Sequence, residues 1–377
     1  MNKSRKISRR DFLKLAGAVA GGTILAGCRP SLSTTASAPN TTASTSPARV
    51  GITRAGSYDP GLVRKQVENL FDSLGGMGDV VKPGDRVVIK VNLTGGVNTY
   101  PPPAGTTPPE SYVTHPSVVR ATGELLQDAG AKEISIVEAV WEWQSFVDWG
   151  YVDMAQGIGA QLIDLNASEP YSDYASVPAG KDWFIYKKFT FNHLLEEADV
   201  FVSVAKMKCH WLCGITQSMK NLVGLVPFKF YEYSPGDGYR TGFHGADTET
   251  RQRLPRVILD LNRARPIHLS LIDGIQTVDG SEGPWNRDLR LRKPGILIGG
   301  KNPVATDAVA VAAMGFNPEA EYPDPPFLRA DNHLNIASQL GLGPNRLSDI
   351  AVVGDSLENV KMKFSPALGS RVPGWDC

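Results

Sequence analysis

Cysteine is scarce in this chain, with four residues in 377. So few exclude a scaffold held together by disulfides. Long apolar runs are missing as well. The apolar stretch at residues 15–27 is diluted by Gly17, Gly21 and Gly22, and it falls short of the roughly 20 residues that span a hydrocarbon core. No Lys/Arg-rich run occurs after the first fourteen residues. The formal net charge is zero, but Lys3, Arg5, Lys6, Arg9, Arg10 and Lys14 stand against Asp11 alone at the N-terminus. The remainder therefore carries −5. A body of that sign is not built to grip nucleic acid, which asks for a basic face.

What the N-terminus does contain is an address. Ser8-Arg9-Arg10-Asp11-Phe12-Leu13-Lys14 matches the twin-arginine export signal. Leu25-Ala26-Gly27-Cys28 resembles the bacterial lipobox, whose cleavage leaves an N-terminal cysteine carrying lipid. The expected layout is a signal peptide over residues 1–27, a Ser/Thr/Pro-rich linker over 28–48 and one α/β domain over 49–377. The expected partners are the twin-arginine translocase and a membrane, reached through lipid on Cys28. The expected location is the extracytoplasmic face of a bacterial membrane. Folding before export is often a sign of cofactor loading before export. With Cys28 lipidated, only Cys209, Cys213 and Cys377 remain, too few for a four-cysteine iron–sulfur cluster within the chain.

Beyond residue 48, short apolar runs alternate with helical patterns. This alternation predicts an α/β fold: a mainly parallel sheet with helices on both faces, in a single large domain with long loops. Strands are expected at 86–91, 133–137, 161–165, 199–204, 268–272, 295–298 and 350–353. Helices are expected at 60–74, 116–129, 145–158, 254–262, 304–314 and 329–340. Thr114 or His115 can cap the helix that Pro116 opens. Two loops are long, at 94–113 and 229–253.

Open parallel sheets bind ligands at the carboxyl ends of their strands, so the residues that follow each apolar run are the ones to inspect. Val200, Val202 and Val204 share a strand face with Lys206, Lys208 and His210. Lys90 and Asn92 follow Val88, Glu138 follows a run ending at Val137, and Asp273 follows Ile272. Paired lysines repel each other, and a bound anion relieves that repulsion. Lys206 and Lys208 are thus expected to bind a small anionic ligand, with His210 as acid, base or ligand. Lys90, Asn92, His115, Lys220 and Asn221 supply further contacts. Glu138 and Asp273 face a divalent metal or a substrate amine. Cys209-His210-x-x-Cys213 allows metal ligation, a disulfide or packing. Asp273, Asp279 and Glu282 lie in a Gly-rich stretch that fits either cation binding or ordinary turns. Asp307 can cap its own helix or reach the site. His193, His268 and His333 read as structural.

The run from Lys206 to Gly224 resembles the family known as domain of unknown function 362. It is carried by Lys206, Lys208, His210, Gly214, Thr216, Lys220, Asn221 and Gly224, with Thr114-His115-Pro116, Asp273-Gly274-Ile275, Glu282-Gly283-Pro284 and 302–308 in the family's order. The resemblance implies ferredoxin-type cysteine sets in some members, which this chain lacks. The functional expectation is an exported lipoprotein that binds a small anion, with or without a metal, and whether it is an enzyme is left open. The alternatives are a solute-capture lipoprotein with two hinged lobes and an extracytoplasmic assembly scaffold.

Overall fold

A computed structural model describes residues 47–97, 100–236, 240–246 and 249–369. The signal segment, Cys28 and Cys377 lie outside the described residues.

In chain order the elements are β1 (Ala48–Arg54), α1 (Pro60–Ser73), β2 (Arg86–Val91), α2 (Pro116–Asp128), β3 (Glu133–Glu138), α3 (Gln144–Asp148), α4 (Tyr151–Gly157) and β4 (Gln161–Asp164). A separate hairpin, β5 (Tyr174–Pro178) with β6 (Lys188–Asn192), precedes α5 (Leu194–Glu197) and β7 (Val200–His210). Then come β8 (Gly214–Thr216), α6 (Thr250–Ala264), β9 (Leu269–Asp279), β10 (Arg290–Arg292), β11 (Ile296–Gly300), α7 (Pro303–Ala313), α8 (His333–Gln339), β12 (Ile350–Gly354) and α9 (Leu357–Val360).

One ten-stranded sheet organises these elements in the order β12-β1-β11-β9-β7-β2-β3-β4, with β10 beside β9 and β8 beside β7. β9, β7, β2, β3 and β4 run parallel to one another. β11 runs against both β9 and β1, and β12 runs with β1. The sheet is mainly parallel, as the alternating pattern predicts. β7 sits near its centre and all eleven of its residues are buried, which is why it reads as a continuous Val-rich run.

Neighbouring glycines reveal helices on both faces. A Cβ on Gly299 would come within 2.7 Å of Leu70 in α1, and one on Gly300 within 2.5 Å of Thr306 in α7. Adjacent strand residues point to opposite faces, so α1 and α7 cover opposite sides of the sheet.

Both site-bearing helices start where their sequence predicts. Asp59 accepts the Leu62 amide at the start of α1, and His115 Nδ1 accepts the Ser117 amide at the start of α2. Pro60 and Pro116 occupy the first turns, where no amide donor is needed. Three expectations are corrected. The helix expected over 145–158 is two helices, because Gly150 turns the chain with φ 78°. The strand expected to stop at 204 continues to His210, since β9 and β8 both pair with its far end. The strand expected to stop at 272 continues to Asp279, where β10 pairs with it. β1, β8, β10 and the β5–β6 hairpin were not anticipated.

The strand order also marks where a ligand fits. The chain steps outward from β2 to β3 to β4, then returns to place β7 on the other side of β2 and continues to β9. The order therefore reverses between β2 and β7, and open α/β sheets bind ligands in the crevice at such a reversal.

Candidate functional site

Every strand-end residue singled out above lies at or beside this reversal, but the residues sort themselves into two ion pairs and a remainder. Lys206 stands opposite Asp273 in the β7–β9 ladder. Its Nζ donates to Asp273 Oδ2 at 2.9 Å, to Tyr58 Oη at 2.8 Å and to the Pro109 carbonyl at 2.9 Å. The Tyr58 hydroxyl in turn donates to Asp273 Oδ1 at 2.9 Å. The His115 amide donates to the same carboxylate, and the His115 ring stacks on Tyr58 at 3.7 Å and 6°.

The second pair joins Lys90 to Glu138 at 2.9 Å, both buried. Asn221 Oδ1 accepts from Lys90 at 3.3 Å, while Asn221 Nδ2 donates to the Lys90 carbonyl and to Ser203 Oγ. Glu138 also accepts the Leu93 amide. Lys90 is registered with Ser203, three residues before Lys206. The two pairs therefore lie on opposite faces of the sheet. The expected convergence of all four strand ends into one hollow is corrected accordingly.

Glu138 and Asp273, the residues expected to face a metal or a substrate amine, each face a lysine amine. Each carboxylate already holds a lysine at 2.9 Å. Among the described residues no group of three or more His, Cys, Asp or Glu is gathered as a ligand set. Asp279 and Glu282 are likewise engaged, Asp279 with Arg292 at 2.7 Å and Glu282 with the Trp285 indole at 2.8 Å and Asn286. Cys209 and Cys213 are free and buried, each thiol facing a backbone carbonyl. They form no disulfide with each other, and burial pushes the Cys213 thiol up to about 12.

Lys208 is the residue left over. It is 1 % exposed. Its Nζ donates to the Tyr112 carbonyl at 2.6 Å, and among the described residues no carboxylate lies within ion-pair distance of it. Burial and the nearby Lys220 hold its pKa well below the ordinary lysine value. Lys220 itself is half-buried and has no hydrogen bond or ion pair among the described residues. Between Lys206 and Lys208 the ladder shifts register against β9, so that Lys208 faces Val278. Such irregularities re-aim strand side chains beside functional sites.

His210 is 8 % exposed. Its Nδ1 accepts the amides of Leu212 and Cys213 at 3.2 and 3.3 Å. Two donors aimed at Nδ1 put the ring proton on Nε2. Burial, then Lys220, keep the ring from protonating, and the pKa lies well below the ordinary imidazole value. His210 is thus a neutral donor through Nε2–H rather than a base. His115 repeats this design, with Nδ1 occupied by the Ser117 amide and a pKa pushed down to about 4, chiefly by burial.

The remaining expected contacts divide in the same way. Lys90 and Asn221 are spent within the Glu138 cluster. Asn92 Oδ1 is buried with no partner among the described residues, and its backbone pairs with Thr114. Asp307 reaches across from α7 to accept the Ser218 and Met219 amides at 2.9 Å, which fixes the chain just before Lys220. Burial pushes its carboxyl up to about 7.

Sequence reasoning overlooked Tyr58, Ser203 and Arg240. Arg240 donates to the carbonyls of Val226 and Ala139 beside Glu138. Nothing local in the sequence marks Tyr58, which lies 148 residues from the lysine it binds. Gly224 was visible, and the structure gives its reason. A Cβ there would meet Glu138 Oε1 and come within 2.5 Å of Lys90 Nζ. Gly224→Ala is expected to cost at least about 1–3 kcal/mol through overpacking, read as a lower urea midpoint at unchanged slope.

The chain is 28% identical over 276 residues to a thylakoid-associated protein of Synechocystis, covering 71% of this chain and 75% of that protein. Among solved structures it is similar to the lactate racemase apoprotein of Thermoanaerobacterium thermosaccharolyticum, at 14% identity and TM-score 0.36, covering 68% of this chain and 54% of that one. A Thermotoga maritima protein solved by a structural genomics consortium gives 11% identity and TM-score 0.32, covering 64% and 56%. The chain thus spans little more than half of either solved protein. Residues 6–26 match the twin-arginine translocation pathway signal sequence, which directs export across the cytoplasmic membrane. No helix among the described residues is long and apolar enough to cross a membrane. Residues 87–312, from the start of β2 to the end of α7, match the family described as Domain of unknown function (DUF362), and the chain belongs to that family.

Proposed function

We propose that this protein is an exported lipoprotein, anchored through Cys28, that binds a small oxyanion at the β2/β7 crevice and has the groups to act on it. The observation that carries this reading is Lys208, a buried amine with one backbone acceptor and no counter-charge among the described residues. Its neighbours reinforce the same need. Lys220 is a cation without a partner among the described residues, and His210 offers Nε2–H. A carboxylate or phosphate supplies the missing negative charge. A buried amine whose pKa is held down by its surroundings is also suited to act as a base or nucleophile, which supplies the capacity for chemistry. The pairing of Lys206 and Lys90 with carboxylates assigns them to holding the crevice in shape. The solute-capture alternative called for two lobes, whereas residues from Ala48 onward are built around one sheet.

The test is calorimetry with phosphate and succinate on the exported chain. A bound anion favours the ammonium form of Lys208. Between the depressed pKa of that amine and about 10.4, binding therefore takes up a proton. The expected result is a binding enthalpy that changes with the ionisation enthalpy of the buffer, and an affinity that falls as pH rises through that window. Binding of neither anion, or binding without proton uptake, would overturn the reading.

A further inference from the structure

His333 was read as structural, but its surroundings do not satisfy it. The residue opens α8 and is 0 % exposed, yet neither ring nitrogen has a hydrogen-bond partner among the described residues. A buried polar group left this way costs free energy unless something unseen pairs with it.

Its position connects it to the crevice. The Phe327 ring lies edge-on to His333 with centroids 6.2 Å apart. The same ring closes over Gly214, where a Cβ would come within 2.7 Å of Phe327 Cδ1. Gly214 is the register partner of His210 in the β7–β8 ladder, and Thr216 is the partner of Lys208. The Thr216 hydroxyl is also buried and unpartnered among the described residues. Both His210 and His333 feel the charge of Lys220, and burial pushes His333 down to about 3. Two unsatisfied neutral groups, an imidazole and a hydroxyl, thus stand beside the residues assigned to the anion.

We infer that His333 and Thr216 form an inner subsite that receives an uncharged hydroxyl of the ligand, so that the ligand is a hydroxylated oxyanion rather than a bare one. The inference rests on the anion site at Lys208 and refines it. A neutral imidazole presents one donor and one acceptor, and a hydroxyl can meet either of them. A second carboxylate offers acceptors only and can meet neither the imidazole acceptor nor any other lone pair. Whether the anionic end is carboxylate or phosphate follows from which of two ligand pairs is bound.

The experiment compares succinate with malate, and phosphate with glycerol 3-phosphate, on the exported chain and on its His333→Phe and Lys208→Met variants. The expected result is that the wild-type chain binds the hydroxylated member of one pair about tenfold more tightly than its plain partner, which is about 1.4 kcal/mol. His333→Phe is expected to erase that preference, keep the affinity for the plain anion and leave the melting temperature unchanged or higher, because it removes unpaired polar atoms. Nitrogen NMR of His333 in the wild-type chain needs no variant. Its ring resonances should move with the hydroxylated ligand and stay still with the plain one. Equal affinity within both pairs, a preference that survives His333→Phe, or unmoved His333 resonances would overturn the inference. If plain anions bind equally well and Lys208→Met weakens that binding roughly 10- to 100-fold, the inner subsite alone is refuted. If no anion binds, or Lys208→Met leaves the affinity unchanged, the anion site falls and the subsite falls with it.

Discussion

Lys206→Met is expected to destabilise the protein by about 3–5 kcal/mol, the cost of removing one partner from a buried ion pair. Lys206 and Asp273 are both 0 % exposed, so the orphaned carboxylate has no water to turn to. Tyr58 and the His115 and Ile275 amides still donate to it, but they bring no positive charge. The loss should appear as a lower urea midpoint at unchanged slope. Exchanging both partners, Lys206→Met with Asp273→Leu, should recover most of the stability, because apolar replacement of a whole buried pair is often neutral or better. The coupling in that double-mutant cycle is then large and favourable. A Lys206→Met variant within about 1 kcal/mol of the wild type would show that the pair does not support the crevice.

The neighbouring lysine should behave in the opposite way. Lys208→Met removes an amine with no counter-charge among the described residues, so stability should stay within about 1 kcal/mol, with only the Tyr112 carbonyl losing a donor. Anion affinity, by contrast, should fall roughly 10- to 100-fold, the loss expected for one charge-assisted hydrogen bond of about 1.5–3 kcal/mol. The pH dependence of folding provides a second readout. The folded pKa of Lys208 is depressed, so between that value and about 10.4 the unfolded chain binds more protons than the folded one. Stability therefore rises with pH across this window, and Lys208→Met should flatten its share of the slope. If Lys208→Met cost as much as Lys206→Met and left affinity intact, the roles assigned to the two lysines would be wrong.

That contrast between lysines two residues apart marks the limit of what could be read in advance. Lys90, Lys206 and Asp273 were legible as the first charges after Val88, Val204 and Ile272, but they do not end their strands: β7 runs on to His210 and β9 to Asp279. The chemistry of Lys206, Lys208 and His210 could be read in the same way. Which lysine is neutralised could not. Asp273 is 67 residues from Lys206, and Glu138 is 48 from Lys90. Only the strand order β9-β7-β2-β3 brings each pair together. Likewise, period-two alternation put Lys206 and Lys208 on one face, but no local pattern showed that Lys90 takes the other. β1 escaped notice for a different reason. Gly51 interrupts its alternation where Leu70 packs, a Cβ there being 3.2 Å from the leucine Cγ. His333 was passed over because one imidazole on an apolar helix looks like any other core residue. Its significance lies in two ring nitrogens without a partner among the described residues, which only the folded chain reveals.

The place of β1 in the sheet bears on the order in which the molecule is made. β1 begins at Ala48, next after the N-terminal segment that carries the export signal, and its partners are Ile296–Gly300 and Ile350–Gly354. As the chain leaves the ribosome, the strand nearest the signal has neither neighbour until some 250 residues later, and its outer edge stays bare until the last strand emerges. Domains otherwise tend to fold from the N-terminus as they are synthesised. Here the first strand of the sheet is the last to gain its partners, so an unfinished polypeptide carries a loose strand and a finished one a paired edge.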